Sequence, residues 1–245
     1  MQEEPHFMGR NNDRQLDLFL EGNPGAAKRF ERVNFRVSVL GGEAGAAVAR
    51  ELGYQLGKKW FSVATGGYAF GTMQAALEGA NAARQELEHD SSEKKYLSMF
   101  NPTVTGVVAE NFQGPTVQGE YVGIDVAEGN YDVYLRLAKL IEDSSVCIVL
   151  PGDTGTETEV MANLHFNQKL KAKMRIPTRP IIFVGNGYEV LFKKFRDAIN
   201  NDVSQVYQVE TSEEAMRLVC CLSAQKRDDS CKVLLDEKKL YIIDK

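Results

Sequence analysis

The chain contains 245 residues, of which 43% are hydrophobic, and this is enough to bury one sizeable core. Its formal net charge of -5 does not favour a nucleic acid or an anionic membrane as a partner. No stretch reaches the roughly 18 consecutive apolar residues of a membrane span, and the polar beginning lacks the apolar region of a secretory signal. We therefore expect a cytoplasmic protein that acts on a small molecule.

The first 32 residues carry many charges together with Asn, Gly and Pro, and they show little periodicity apart from a short apolar cluster between Leu16 and Leu20. This composition predicts a polar arm over residues 1–32. Apolar runs begin just after it, and we expect a single nucleotide-binding α/β domain over residues 33–245.

Short apolar runs rich in β-branched residues alternate with helical patterns through most of the chain. FRVSVLGG and WFSVATGG each predict a strand that ends in paired glycines and precedes a helix. Further strands are predicted within VTGVVA, YVGIDV, SVCIVLPG and PIIFVGN, with helices near residues 130–143, 156–172 and 187–200. This alternation predicts a Rossmann-like, doubly wound and mostly parallel sheet with helices on both faces.

Two segments depart from this alternation. QELEHDSSEKKYLSMFNP is polar and predicts a surface loop between the second helix and the third strand. After residue 204, the pattern predicts a last strand and a closing helix, which begins with a capping box from Thr211 to Glu214. The terminal KVLLDEKKLYIID predicts a hairpin with a polar turn.

The cysteines and histidines do not form a recognisable metal or catalytic set. No CxxC pair occurs, which favours buried or incidental thiols in a reducing compartment over a zinc site or a disulfide framework. The histidines fall in a tail, a polar loop and a helix, so we expect neither a triad nor a metal. These residues are Cys147, Cys220, Cys221 and Cys231, and His6, His89 and His165.

Paired glycines follow three of the predicted strands. In an open parallel sheet, ligands bind beyond the carboxyl ends of the strands. Glycine lets a ligand approach the backbone, and a helix that starts there aims N–H groups at an anion. Three such pairs at one edge favour a phosphate-bearing ligand over ordinary tight turns. The pairs are Gly41 and Gly42, Gly66 and Gly67, and Gly152 and Gly155.

The common nucleotide and hydrolase motifs are absent from the sequence. GGEAG after the first strand does not match G-x-G-x-x-G, and no segment matches G-x-x-x-x-G-K-[ST] or G-x-S-x-G. A dinucleotide-dependent dehydrogenase, a Walker-type ATPase and a serine hydrolase are therefore not expected.

Glu159 and Arg136 each have a structural and a functional interpretation. Thr156 and Glu159 have the spacing of a capping box, but a glutamate in the first helical turn can also face a sugar bound beside it. Arg136 lies four residues after Asp132, as in a solvated ion pair, but a long side chain near this helix start can also reach the same sheet edge. The residues alone leave both alternatives open.

The residues around this edge resemble those of the Lonely Guy (LOG) family, whose members are often mislabelled "lysine decarboxylase". The family motif P-G-G-x-G-T-x-x-E is similar to residues 151–159, where Asp153 replaces the second glycine. The upstream arginine of M-H-x-R-K falls at Arg136, although the neighbouring Met, His and Lys are replaced. A further motif, G-G-G-S-V-G-L-M, resembles GGYAFGTM, which keeps Gly66, Gly67 and Gly71.

The resemblance implies a nucleotide phosphoribohydrolase. The expected reaction is hydrolysis of the N-glycosidic bond of a cytokinin-type or purine nucleoside 5'-monophosphate, with Glu159 and Arg136 as the catalytic pair. It implies no cofactor and no metal, and a homodimer or a larger homo-oligomer. The phosphate and nucleotide would be held by Gly152, Asp153, Thr154, Gly155, Thr156, Gly41, Gly42, Gly66, Gly67 and Gly71.

Two other functions stay open on the same scaffold. One is a non-catalytic protein that binds a nucleotide or a phosphate-bearing cofactor such as molybdopterin, and the other is a nucleoside deoxyribosyltransferase with a covalent glutamate adduct. Lysine decarboxylation is not expected, because nothing in the sequence marks a pyridoxal phosphate lysine with its acidic partner.

Overall fold

The computed structural model describes residues 10–240, apart from Gln113, Asn130 and residues 174–177, 201–204 and 225–227. Within these residues, the strands form one parallel sheet of seven strands. They are Arg36–Leu40 (β1), Ser62–Thr65 (β2), Val104–Ala109 (β3), Val122–Ala127 (β4), Val146–Val149 (β5), Ile181–Val184 (β6) and Val206–Val209 (β7).

Helices connect the strands and precede and follow the sheet. They are Arg10–Gly22 (α1), Pro24–Val33 (α2), Ala46–Lys58 (α3), Gly71–His89 (α4), Ser91–Leu97 (α5), Asp132–Glu142 (α6), Thr154–Lys173 (α7), Glu189–Lys194 (α8), Arg196–Asn200 (α9), Ser212–Ser223 (α10) and Asp229–Lys238 (α11). A short 3-10 turn, Glu43–Gly45, leads from β1 into α3.

The strand order is β4-β3-β2-β1-β5-β6-β7. The chain therefore builds outward from β1 to β4, and then crosses back to place β5 on the other side of β1. This reversal between β1 and β5 is the topological switch point of a doubly wound sheet. The fold predicted from the alternation of strands and helices is confirmed.

Apolar residues cover both faces of the sheet. Val37 and Val39 of β1 pack into one cluster with residues of α3, α4 and α10, whereas Leu40 packs into another cluster with residues of α7 and α8. Successive side chains of a strand point to opposite faces, so a strand buried on both sides appears as a continuous apolar run. This is why the strands were readable from the sequence.

The N-terminal segment is helical where the structure describes it. α1 and α2 replace the irregular arm that the polar composition predicted. Their apolar side chains, which include Phe19 and Phe30, pack against a cluster around Trp60, Leu97 and Phe100. One-sided burial of a few apolar residues is enough to hold an otherwise polar helix. Whether residues 1–32 form a unit separate from the rest stays a prediction.

The polar segment before β3 is also helical. α4 continues to His89, and α5 follows at once because the Asp90 carboxylate accepts a hydrogen bond from the Ser92 amide at 2.8 Å. The loop predicted there is therefore wrong. Its apolar residues Tyr96 and Leu97 lie at the end of α5 and pack on the Trp60 cluster.

Residues 232–240 differ from the predicted hairpin, and its last residues, 241–244, lie outside the part of the chain that the structure describes. The β7 strand and the Thr211 cap of α10 are confirmed, since the Thr211 hydroxyl accepts from the Glu214 amide at 3.2 Å. The next segment is α11, which the Asp228 carboxylate caps by accepting from the Cys231 amide. Leu234 lies on the buried side of α11. In the described residues after α11, Lys239 forms an isolated bridge with Tyr207.

Cys221 and Cys231 form a disulfide between α10 and α11, with Cα atoms 5.3 Å apart. The expectation of four incidental thiols is wrong for this pair. Their approach depends on α11 folding back along α10, which the spacing of ten residues does not reveal. Cys147 and Cys220 are free, and Cys147 is buried. Separately, none of the helices described is long and apolar enough to cross a membrane.

Arg29 joins the N-terminal helices to the rest of the protein. Its guanidinium donates two hydrogen bonds to Glu93, at 2.5 and 2.9 Å, and lies 4.4 Å from the centre of the Tyr96 ring. The Trp60 indole donates to the same carboxylate at 3.0 Å.

We therefore predict that Arg29→Ala lowers the free energy of unfolding by about 2 kcal/mol, because a half-buried carboxylate loses a bidentate partner. Urea unfolding and limited proteolysis of residues 10–33 measure the effect. Arg50→Ala is the control, since it breaks the more exposed ion pair with Glu78 and should cost less than about 0.5 kcal/mol. Equal losses in the two variants would contradict this role for Arg29.

Candidate functional site

A cavity of about 700 Å³ opens at the carboxyl ends of β1, β2 and β5. The loops that follow these strands supply its walls, together with the starts of α6 and α7. Because β1 lies between β2 and β5 in the sheet, all three glycine-rich strand ends meet at this one edge. The cavity therefore lies at the switch point, where doubly wound sheets bind their ligands.

The floor of the cavity is formed where the pairing of β1 and β5 continues into their loops. The Leu150 amide donates to the Leu40 carbonyl at 2.9 Å, and the Gly42 amide donates to the Pro151 carbonyl at 3.0 Å. Gly152 then passes so close that a Cβ atom on it would overlap the Thr156 hydroxyl. Glycine is required here because two backbones and a helix start converge.

Asp153 caps the N-terminus of α7. Its Oδ1 atom accepts a hydrogen bond from the Gly155 amide at 3.0 Å, and α7 begins at Thr154. The capping-box alternative for Thr156 and Glu159 does not form, because α7 begins at Thr154 and Asp153, three residues before Thr156, supplies the capping oxygen. Glu159 is released from that role and lies in the second turn of the helix.

Arg136 reaches the cavity from α6. Its Nε atom donates to the Val107 carbonyl at 2.9 Å, and its Nη1 atom lies 3.6 Å from the Glu159 Oε1 atom. The guanidinium carbon lies 5.4 Å from the centre of the Tyr68 ring. A Cβ atom on Gly66 would overlap the guanidinium, so the glycine at the end of β2 makes room for this side chain.

The alternative ion pair between Arg136 and Asp132 does not form. Asp132 is buried and accepts hydrogen bonds from the Asn111 amide at 2.5 Å and the Val133 amide at 2.8 Å. Its carboxylate therefore holds the loop after β3 against the start of α6. This leaves Arg136 to pair with Glu159, a residue that lies on a different helix.

Burial changes the titration of Glu159. Its side chain is 17% exposed, and desolvation raises its pKa from the ordinary value of 4.5 to about 7. The Arg136 charge lowers this pKa, and the Asp153 carboxylate raises it. A pKa near 7 suits a group that exchanges protons at neutral pH.

Aromatic side chains form one wall of the cavity. The Tyr68 ring lies 6.1 Å from the Phe70 ring at an interplanar angle of 11°, and 4.8 Å from the Phe112 ring. The Tyr68 hydroxyl accepts from the Ala109 amide at 2.9 Å, which fixes the ring. Phe70 and Phe112 are about half exposed at 46% and 52%. Both rings therefore offer an apolar surface to a ligand in the cavity.

The sequence analysis did not identify this aromatic wall. Tyr68 and Phe70 lie inside GGYAFGTM, so their position after a strand end was available as a signal. Phe112 follows β3, whose end carries no glycine pair, and nothing in its sequence marked it.

The structure brings most of the sequence-predicted site residues to the cavity, but not all of them. Gly67 instead packs against Gly106 of β3, Gly71 starts α4 beside Glu43, and Thr154 is exposed at the start of α7. The predicted residues that line the cavity are Gly41, Gly42, Gly66, Arg136, Gly152, Asp153, Gly155, Thr156 and Glu159. The roles assigned to these residues stay predictions.

These features define a Rossmann-like α/β protein with a ligand-sized cavity at its switch point. No protein-family model matches the sequence, and no curated protein matches it. The resemblance to the Lonely Guy family therefore stays a prediction.

Solved structures share the fold. The molybdenum cofactor carrier protein of Chlamydomonas reinhardtii matches with a TM-score of 0.50 and 21% identity, over 77% of this chain and 97% of that one. The molybdenum cofactor binding protein of the phototrophic bacterium Rippkaea orientalis matches with a TM-score of 0.51 and 20% identity, over 76% and 93%. At these identities the likeness establishes the fold.

The raised pKa of Glu159 makes stability depend on pH. Between about pH 4.5 and pH 7 the folded protein keeps a proton that the unfolded chain releases, so stability falls as pH rises through this window. One pKa unit corresponds to about 1.4 kcal/mol. We predict that between pH 4.5 and pH 8 the wild type loses about 2 to 3 kcal/mol relative to Glu159→Gln, which has no proton to release.

Urea unfolding at a series of pH values measures this difference. Glu157→Gln, on the same helix but outside the cavity, is the matched control for removal of a carboxylate. A constant difference between wild type and Glu159→Gln across the pH range would show that Glu159 titrates normally.

Proposed function

We propose that this protein binds a small molecule that carries both a phosphate group and a flat ring, and holds it without chemical change. The proposed ligand is a molybdopterin-type cofactor. One observation carries the proposal: a single cavity joins a glycine-lined helix start to a wall of aromatic rings.

The size and lining of the cavity support a ligand of this kind. Sites for small molecules usually enclose about 300 to 1,000 Å³ and are mostly apolar with a few polar groups, and this cavity of about 700 Å³ lies within that range. A planar heterocycle stacks favourably against rings such as Tyr68 and Phe112. A pterin and a purine both meet this requirement.

The phosphate group is proposed to lie at the start of α7. The first backbone N–H groups of α7, which include those of Gly155 and Thr156, have no acceptor within the helix and carry the positive end of its dipole. The Arg136 guanidinium adds a positive charge, and its hydrogen bond to the Val107 carbonyl holds it in position. A phosphate monoester placed here would extend its remaining atoms toward the aromatic wall.

The solved structures with the same fold support holding over hydrolysis. The two matches described above are a protein that carries and a protein that binds the molybdenum cofactor. Their low identity does not transfer any residue to this chain, so the proposal depends on the geometry of the cavity and uses these proteins only as a guide to ligand class.

Hydrolysis of an N-glycosidic bond is the second candidate, favoured by the approach of Arg136 to Glu159. In that reaction Glu159 would stabilise the positive charge that develops on the sugar or activate a water molecule, and Arg136 would orient it. A carboxyl group with a pKa of about 7 suits proton transfer near neutral pH.

A direct assay separates these two functions. We predict that purified wild type releases no more free base from AMP or its N6-isopentenyl form than Glu159→Gln does, while protein from molybdopterin-producing cells retains a pterin detectable by fluorescence after oxidation. Ala44→Trp, which places a bulky ring in the cavity from an exposed position, should lose the pterin. Base release by wild type that Glu159→Gln abolishes would establish the hydrolase instead.

The aromatic wall gives a second prediction. Phe112→Ala should weaken binding of the pterin or of AMP by about tenfold, since a stacked ring contributes about 1 to 3 kcal/mol. Its effect on inorganic phosphate should be small, because phosphate has no ring to stack. Phe195→Ala, which removes a partly buried ring outside the cavity, is the control. Fluorescence titration measures binding of the pterin, and calorimetry measures binding of AMP and of inorganic phosphate. Equal losses of affinity for all three ligands would contradict a stacking role for Phe112.

A further inference from the structure

Asp153 occupies the place where a bound phosphate would be expected. It lines the cavity at the start of α7, and its Oδ1 atom already accepts a hydrogen bond from the Gly155 amide. A phosphate oxygen that used the same N–H group would have to displace this carboxylate. One amide at the start of the helix is thus already bonded to the protein's own anion.

The other charges around the cavity also oppose the entry of a phosphate group. Among the described residues that line it, one cation, Arg136, faces three carboxylates, Glu43, Asp153 and Glu159. The Asp153 charge is also felt at Glu159, whose pKa it raises. A phosphate dianion entering this space meets repulsion that a single guanidinium does not fully offset.

We propose that Asp153 is a specificity-determining residue that acts as an internal competitor for the phosphate group of the ligand. Its carboxylate takes the helix-start amide and repels the incoming anion, so the cavity holds its ligand weakly enough to release it and depends on ring contacts for selectivity. This inference rests on the proposed binding of a phosphate-bearing molecule in the same cavity.

Helix capping alone is the competing explanation for Asp153. A capping residue typically stabilises a helix by about 1 kcal/mol, whatever the ligand. The two explanations separate in Asp153→Asn, because an asparagine oxygen caps the same amide without a charge. Asp153→Gly removes both the cap and the charge.

The experiment is a calorimetric titration of wild type, Asp153→Asn and Asp153→Gly with AMP, and with adenosine as the ring without the phosphate. We expect Asp153→Asn to bind AMP about tenfold more tightly than wild type does, and the gain for AMP to exceed any gain for adenosine by a similar factor. Asp153→Gly should gain at least as much for AMP. Thermal unfolding checks that both variants are folded.

Two controls identify the source of the gain. Glu157→Gln removes a carboxylate from the first turn of the same helix, outside the cavity, and should change AMP binding by less than about twofold. Ala44→Trp combined with Asp153→Asn should abolish the tighter binding, because the gain requires an open cavity.

The outcomes are distinct. Unchanged AMP affinity in Asp153→Asn, or equal gains for AMP and adenosine, would overturn the role of Asp153 while leaving binding in the cavity intact. Binding that Ala44→Trp does not reduce would overturn the proposed function and this inference together. Absence of AMP binding by every Asp153 variant would likewise overturn the inference, since removal of the carboxylate should permit it.

Discussion

The parallel pairing of β1 with β5 is the constraint on which the site depends. It continues past the strands through the hydrogen bond from the Gly42 amide to the Pro151 carbonyl, so two loops distant in sequence share one floor. Gly152 permits this contact because it has no side chain. Without this pairing, the start of α7 would not lie beside the end of β1, and no cavity would form at the switch point.

The same edge of the sheet holds one cation, Arg136, and more than one carboxyl group. Arg136 is oriented by a carbonyl and an aromatic ring, and burial raises the pKa of its partner Glu159 to about 7. Asp153 adds negative charge and already caps the helix. The proposed function assigns this arrangement to weak, reversible holding of a phosphate group, with the ring of the ligand supplying much of the contact.

Periodicity predicted the sheet because strands buried on both faces appear as apolar runs, and glycines at their ends indicated the correct edge. Contacts between distant segments were not predictable in this way. The pairing of Arg136 with Glu159 was expected only from the family resemblance, because it depends on how α6 and α7 pack and Asp132 had the more obvious spacing. The disulfide of Cys221 depends on the path of α11, while Phe112 had no local signal. Polar helices such as α5 were missed because their few buried residues lack a full period.

The central claim is that a phosphate-bearing ligand with a flat ring occupies the switch-point cavity. A crystal structure of the protein in complex with AMP tests it most directly. The account predicts phosphate density within hydrogen-bonding distance of Arg136 and of the Gly155 amide, with the Asp153 carboxylate displaced from that amide, and the base against Phe112. A ligand bound instead in a separate cavity that lies between the end of α3 and α10 and is lined by Lys59 and Arg217 would contradict it.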